Sequence, residues 1–156
     1  MTRSTRRATW SCAALVAVGV LAADQLTKHL VRDSIAVGDH RDVLPGVQLV
    51  HATNNGVAFS FSAGGPRLVL VVIGLAVLAI LAFFATHLDR PLLWLPTGMM
   101  VGGAAGNLVD RIRDGAVTDF VKLPHWPAFN LADTSITLGV VVLLFVLRDD
   151  GAPRTS

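Results

Sequence analysis

The run from Leu68 to Ala85, LVLVVIGLAVLAILAFFA, contains no polar side chain. At about 1.5 Å rise per residue, a helix of roughly 20 apolar residues spans the hydrocarbon core of a bilayer. In water such a segment would have to be buried on every side. The chain has only 156 residues, and a chain that short keeps a large surface relative to its volume. It cannot wrap this helix and also hide its other apolar segments. Hydrophobic residues make up 53% of the sequence and charged residues 15%, against about 25% charged in an ordinary soluble domain. Lipid is the solvent that suits this composition.

Three further segments share the character. The first starts near Ala8 and is apolar to Ala23. It continues through Asp24-Gln25-Leu26-Thr27-Lys28, where Ala23, Leu26 and Leu30 keep helical spacing. Another runs from about Leu92 to Val109 and is rich in Gly and Ala. Its stretch Gly102 to Gly106 is all small residues and permits close helix packing in lipid. The last runs from about Ala132 to Leu147. The expected fold is an all-α membrane protein with four transmembrane helices, over about 8–31, 68–88, 92–110 and 132–147, in a single membrane-embedded domain 1–156. Outer loops then cover about 32–67 and 111–131. Within the first, DVLPGVQLVH (Asp42 to His51) holds two β-prone pieces around a Pro-Gly turn. It predicts a small extracytoplasmic β element on the membrane surface. The link His87 to Pro91 is short, so the second and third helices should be antiparallel neighbours. A cleavable signal peptide is the rival reading of the first segment, given its basic start and the pair Ala22-Ala23. Three further apolar segments make an uncleaved span the more natural one.

Orientation rests on the first flank. Arg3, Arg6 and Arg7 precede the first apolar segment, and positive charge beside a span favours the cytoplasmic side. Both termini are therefore expected in the cytoplasm, with Arg148 and Arg154 near the end of the chain. Net charge is +2 and the 13 basic residues are scattered. Phosphate backbones demand a clustered basic face, so no nucleic-acid partner is expected. All 11 acidic residues are Asp; Glu favours solvated helix faces, and this chain has few. Cys12, the one cysteine, sits in an apolar run and cannot make an internal disulfide or, alone, a zinc site.

On this map the ionisable and amide side chains collect at one membrane face. Asp24 and Lys28 end the first span, and Asn54 and Asn55 lie in the first outer loop. Asn107, Asp110 and Arg111 end the third span, and Asp119 lies in the second outer loop. Asn130 and Asp133 open the fourth. Ionisable groups beside lipid are costly, so they pair, and they often mark function. Each also has a structural reading. Asp24 and Lys28, at i and i+4, suit an ion pair on one helix. Asp133 suits the positive end of a helix dipole. Asp110 and Arg111 suit an ordinary interfacial pair, and Asp114-Gly115 suits a turn. His125 and Trp126, between two prolines, suit an interfacial anchor. The five histidines show no HExxH spacing, and there is no G-x-S-x-G and no P-loop. What remains is aspartates and neutral amides. Two close carboxyls cannot both ionise cheaply, so one keeps a proton. The ionised partner can take a proton from water while the protonated one polarises a scissile carbonyl. On this reasoning the pair is any two of Asp24, Asp110, Asp119 and Asp133.

Five blocks now stand in order: DQLTK from Asp24, NNGVAFS from Asn54, GGAAGNLVDR from Gly102, VTDF from Val117 and FNLAD from Phe129. With four apolar segments around them, the chain resembles the lipoprotein signal peptidases, also called signal peptidase II. The resemblance implies an aspartic endopeptidase, multi-pass in the bacterial cytoplasmic membrane, with its active site at the extracytoplasmic face. The implied substrate is a prolipoprotein whose cysteine already carries diacylglyceryl, cut just before that cysteine. Membrane lipids would surround the enzyme, globomycin would block it, and neither a metal nor another cofactor would be needed. A monomer is expected. The family's catalytic aspartates fall on Asp119 and Asp133. Asn54, Asn107, Arg111 and Asn130 match polar positions around the dyad and substrate, and Asp24, Lys28 and Asp110 match supporting positions. Val57 stands where the family commonly has Ala, an apolar-for-apolar change. Two other classes fit an apolar polytopic chain: a small transporter, or a non-catalytic scaffold with structural ion pairs. A transporter's charges would sit near the midplane on broken helices, whereas these sit at helix ends.

Overall fold

A computed structural model describes residues 2–55 and 65–148. They form α1 (Arg3–Ser34), β1 (His40–Leu44), β2 (Val47–Asn54), α2 (Gly65–Thr86), α3 (Trp94–Asp114), β3 (Val117–Lys122) and α4 (Leu131–Arg148). Gly56, Val57, Ala58, Phe59 and Ser60 of the second block, and Arg154, lie outside the described residues.

The helices invert the arrangement of a soluble protein. Leu15, Leu75, Leu78, Leu144 and Phe145 are all more than 60% exposed, while Asp24, Lys28, Asp110 and Asn130 are at 0%. An apolar exterior this extensive matches lipid, and helices satisfy their own backbone groups as lipid requires. Among the described residues, α1, α2 from Arg67 onward, and α4 are each long and apolar enough to cross a membrane. The third segment expected to do so, α3, does not reach that level. Its glycines and the polar run Asn107, Asp110, Arg111, Arg113 and Asp114 lower its hydropathy. Position explains the composition, because α3 is the central helix and packs on α1, α4 and α2. Much of its surface meets helix and not lipid.

Glycines set how closely those helices approach. A Cβ added at Gly98 would stand 2.6 Å from the Ala13 carbonyl oxygen, and one at Gly102 would stand 2.6 Å from that of Ala17, both on α1. At Gly103 the obstacle is the Ala132 carbonyl of α4, again at 2.6 Å. At Gly106 it would be the Asp24 carboxylate itself. Gly98, Gly102 and Gly106 recur every fourth residue and so line one face. That face lets α1 bring its polar last turns against α3.

Helix α1 begins at Arg3, not at 8, because Thr2 caps it: the Thr2 hydroxyl accepts the Thr5 N–H at 3.2 Å. It runs on to Ser34, beyond the expected 31. Its 32 residues give a length of about 48 Å, against roughly 30 Å of hydrocarbon. The other helices differ from expectation by a few residues at their ends, where caps rather than hydropathy decide. The link from His87 to Leu93 is short, and α2 and α3 pack together.

The expected hairpin forms, with β1 and β2 antiparallel around Pro45-Gly46 and Gly46 at φ 79°. A third strand was not anticipated. Residues 111–131 were expected as loop, but β3 pairs antiparallel with β2, giving the order β1-β2-β3. Val117, Thr118, Asp119 and Phe120 are all buried, so the strand lacks the apolar–polar alternation that betrays a half-buried one. Gly115 makes the connection: at φ 73° it ends α3 and turns the chain into β3. Phe120, with Val31 and Ile35 of the α1 end, forms the small apolar core that seats the sheet on the helices.

Candidate active site

The chain returns on itself after β3. Phe129 bridges to Val121, donating to its carbonyl at 3.0 Å and accepting its N–H at 2.8 Å. This closure sets Asn130 beside Asp119, and α4 starts at once. Its first turn is a reciprocal cap. Asn130 Oδ1 accepts the Asp133 N–H at 2.9 Å, and Asp133 Oδ2 accepts the Asn130 N–H at 3.3 Å. The N-cap residue and the third helical residue thus satisfy each other. Asp24 reaches across from α1 and accepts the Ala132 N–H at 2.9 Å.

Asp119 faces Ala52 across the sheet, and Asn54 lies two residues further along β2, on the same face. Asn54 Nδ2 donates to Asp119 Oδ2 at 3.0 Å. Asn130 Nδ2 donates to Asp119 Oδ1 at 2.7 Å and to Asn107 Oδ1 at 3.1 Å. Asn107 Nδ2 in turn donates to Asp133 Oδ1 at 2.7 Å. Asn130 therefore touches both carboxyls. Below them Lys28 bonds Asp24 at 2.8 Å, Asp110 at 3.0 Å and the Asn107 amide oxygen at 3.0 Å. Asp110 also accepts the Thr118 N–H at 3.2 Å, which fastens β3 to α3. Among the described residues no buried side-chain nitrogen or oxygen lacks a partner.

The two carboxyls differ in setting. Asp119 is 3% exposed. Burial pushes its carboxyl above the usual range; hydrogen bonds from Asn54 and Asn130 and the Lys28 charge oppose this, and the Asp133 charge adds to it. Asp133 is only half-buried. Among the described residues no three His, Cys, Asp or Glu side chains are grouped to hold a metal ion.

All nine residues that the resemblance assigned lie in or beside this cluster, but not all as their structural readings had them. Asp110 does not pair with Arg111. It is fully buried against Lys28, and Arg111 donates to the Asn107 carbonyl at 3.3 Å on another side of α3. There Asn107 and Arg111 close one end of a cleft of about 310 Å³ between α2, α3 and α4. Its walls are otherwise apolar, with Ile73 and Val77 from α2, Ala104 from α3, and Ile136 and Val140 from α4. Two residues escaped the sequence reading. Gln25 Nε2 donates to Asp110 at 3.0 Å, to the Gly106 carbonyl at 3.2 Å and to Asp24 at 3.3 Å. Arg32 donates to the Thr118 hydroxyl at 3.1 Å and pairs with Asp114 at 3.4 Å. Arg32 follows Lys28 by one turn, and that spacing was the available signal.

A family model described as signal peptidase (SPase) II matches residues 16–148, which hold every member of the cluster. The lipoprotein signal peptidase of Moorella thermoacetica is 40% identical over 138 residues, covering 85% of this chain and 90% of that protein. That of Halothermothrix orenii is 34% identical over 134 residues, covering 85% and 92%. A bacterial membrane enzyme solved by the in meso method at 2.3 Å resolution is similar with a TM-score of 0.80 and 27% identity, covering 92% of each chain. Extent of match, fold and position of the polar cluster agree, and the chain belongs to the signal peptidase II family of membrane aspartic peptidases.

Proposed function

We propose that this chain removes the signal peptide from diacylglyceryl-modified prolipoproteins, cutting just before the lipidated cysteine with Asp119 and Asp133 as the catalytic pair. The observation that carries the reading is Asn130, one residue bonded to both carboxyls where the apolar bundle meets the sheet. Asp119, held above its usual range, keeps the proton and hydrogen-bonds the scissile carbonyl. Asp133 takes a proton from water, whose oxygen attacks the carbonyl carbon. Collapse breaks the C–N bond, and the proton passes to the departing amine of the cysteine. Asn54, Asn107, Asn130 and Arg111 position the pair and the substrate; Asp24, Lys28 and Asp110 hold the helices that carry them.

In this reading all four helices cross the membrane as one domain, α3 doing so behind the other three. The termini are cytoplasmic, beside Arg3, Arg6 and Arg7, and the site lies at the opposite, extracytoplasmic end of α1. The cleft beside Asn107 and Arg111 receives the apolar part of the substrate directly from lipid. Ala104→Phe is expected to raise KM for a lipidated precursor by about tenfold while sparing kcat, because it fills ground-state binding space away from the pair. A loss confined to kcat would argue against the cleft.

A second expectation concerns pH. Asp119 is raised, so its proton is retained above the ordinary carboxyl range and lost as pH rises further. Its ionisation ends activity on the alkaline side. Asn54 donates to the ionised form, so Asn54→Ala should move the alkaline limb to higher pH by up to about one unit. A shift to lower pH would contradict the assignment.

The reading as a whole is tested with purified chain and a lipidated precursor. Release of the signal peptide, unaffected by a chelator, is expected. No release would leave a transporter or scaffold, and loss with chelator would point to a metal enzyme.

A further inference from the structure

We infer that Lys28 is a positioning residue that, through Asn107, aims the hydrogen-bond donor facing Asp133. The inference rests on the aspartyl reading above. An ammonium group only donates. Lys28 is fully buried and spends its N–H groups on Asp24, Asp110 and Asn107. The Asn107 atom facing it must therefore be oxygen, which turns Asn107 Nδ2 toward Asp133 Oδ1, 2.7 Å away. The same oxygen accepts from Asn130 Nδ2 at 3.1 Å and so fixes the second amide. Asn130 then presents nitrogen to Asp119 and oxygen to the Asp133 N–H. One cation sets the sense of two amides, and through them the donors that reach both carboxyls.

A donor aimed at a carboxylate favours its ionised form. Turned over, Asn107 would aim an oxygen at Asp133 and its NH₂ at the ammonium. Among the described residues, the titratable groups that interact with Asp133 are Asp119 from β3 and Arg111 from α3. From α1, Asp24 binds the neighbouring Ala132 N–H, and Lys28 acts through Asn107. Helix α2 contributes Ile73 and Val77 to the adjoining cleft. Among the described residues, Asn107 Nδ2 makes the shorter of the two hydrogen bonds that the Asp133 carboxyl accepts, at 2.7 Å against 3.3 Å. Lys28 thus acts on Asp133 by steering a donor, without touching it.

The test is the pH profile of kcat and KM for Asn107→Asp, and for the double variant Lys28→Met with Asp110→Asn measured against Asp110→Asn alone. Asn107→Asp keeps an acceptor for Lys28 and replaces the donor to Asp133 with oxygen. The double variant removes the cation together with one of its anions. In both, kcat should fall about 10²-fold, and the acid limb should move to higher pH by about one unit. In the double variant KM should stay close to its reference value. A merely structural role would lower the yield of folded enzyme and leave the limb in place. An unmoved acid limb in whichever variant folds, or a loss confined to KM, overturns the inference. That failure is distinct from failure of the aspartyl reading, which would show as cleavage by Asp133→Asn.

Discussion

Asp119→Asn and Asp133→Asn are each expected to lower cleavage of a lipidated precursor by at least about 10³-fold. The two losses should not add, because the carboxyls act as one unit. Each substitution keeps size and removes a carboxyl the mechanism needs. At position 133 the base is gone. At position 119 the replacement meets two donors, Asn54 Nδ2 and Asn130 Nδ2, so its own NH₂ must oppose one of them. Some loss of stability is therefore expected for Asp119→Asn, and thermal unfolding in detergent must accompany the rate. Asp133→Asn also meets two donors, Asn107 Nδ2 and the Asn130 N–H, so its NH₂ opposes one of them and a comparable loss of stability is expected there. Substantial cleavage by either folded variant would end the aspartyl mechanism.

Gly102→Leu is expected to unfold the chain or separate α1 from α3. Its Cβ would stand 2.6 Å from the Ala17 carbonyl oxygen and 2.9 Å from the Ala17 Cα. Backbone cannot step aside as a flexible side chain can, so the helices must part. Overpacking alone costs about 1–3 kcal/mol, and breaking a buried ion pair costs about 3–5 kcal/mol more. Parting these helices threatens the bonds from Lys28 to Asp110 and Asn107. Against a total stability of about 5–15 kcal/mol, that is enough to remove most folded enzyme. Gly19→Leu is the control, since nothing lies within 4 Å of an added Cβ there. Equal unfolding temperatures for Gly102→Leu and wild type would refute the close-packing account.

The apolar helices were legible because a run such as Leu68 to Ala85 leaves hydropathy no alternative. Helix α3 was legible as a segment, though its hydropathy falls below that of the other three: a helix enclosed by three others can be rich in Gly and carry Asn107 and Asp110. The hairpin announced itself through Pro45-Gly46. Strand β3 did not, because both its faces are buried. The site residues could be collected at one membrane face by periodicity, yet periodicity could not choose among four aspartates. The resemblance named Asp119 and Asp133, and the two events that set Asp119 beside Asn130 and the start of α4 leave no period: the turn at Gly115 and the closure of Phe129 onto Val121. Gln25 was hidden for a different reason. An uncharged side chain within a polar block looks like a solvated one until α3 is placed beside it.

The ion pair within α1 also bears on how the protein is made. Synthesis delivers α1 well before α3, so Asp24 and Lys28 enter the bilayer before Asp110 and Asn107 exist. A lone charged residue raises the insertion cost by about 2.5–3.5 kcal/mol at a helix centre and by less toward the end, where these two sit. One turn apart and 2.8 Å from contact to contact, the two neutralise each other on a helix that has no neighbours yet. The later arrival of α3 then recruits an ammonium that was already lodged in place, so the first half of the chain carries its own provisional partner through assembly.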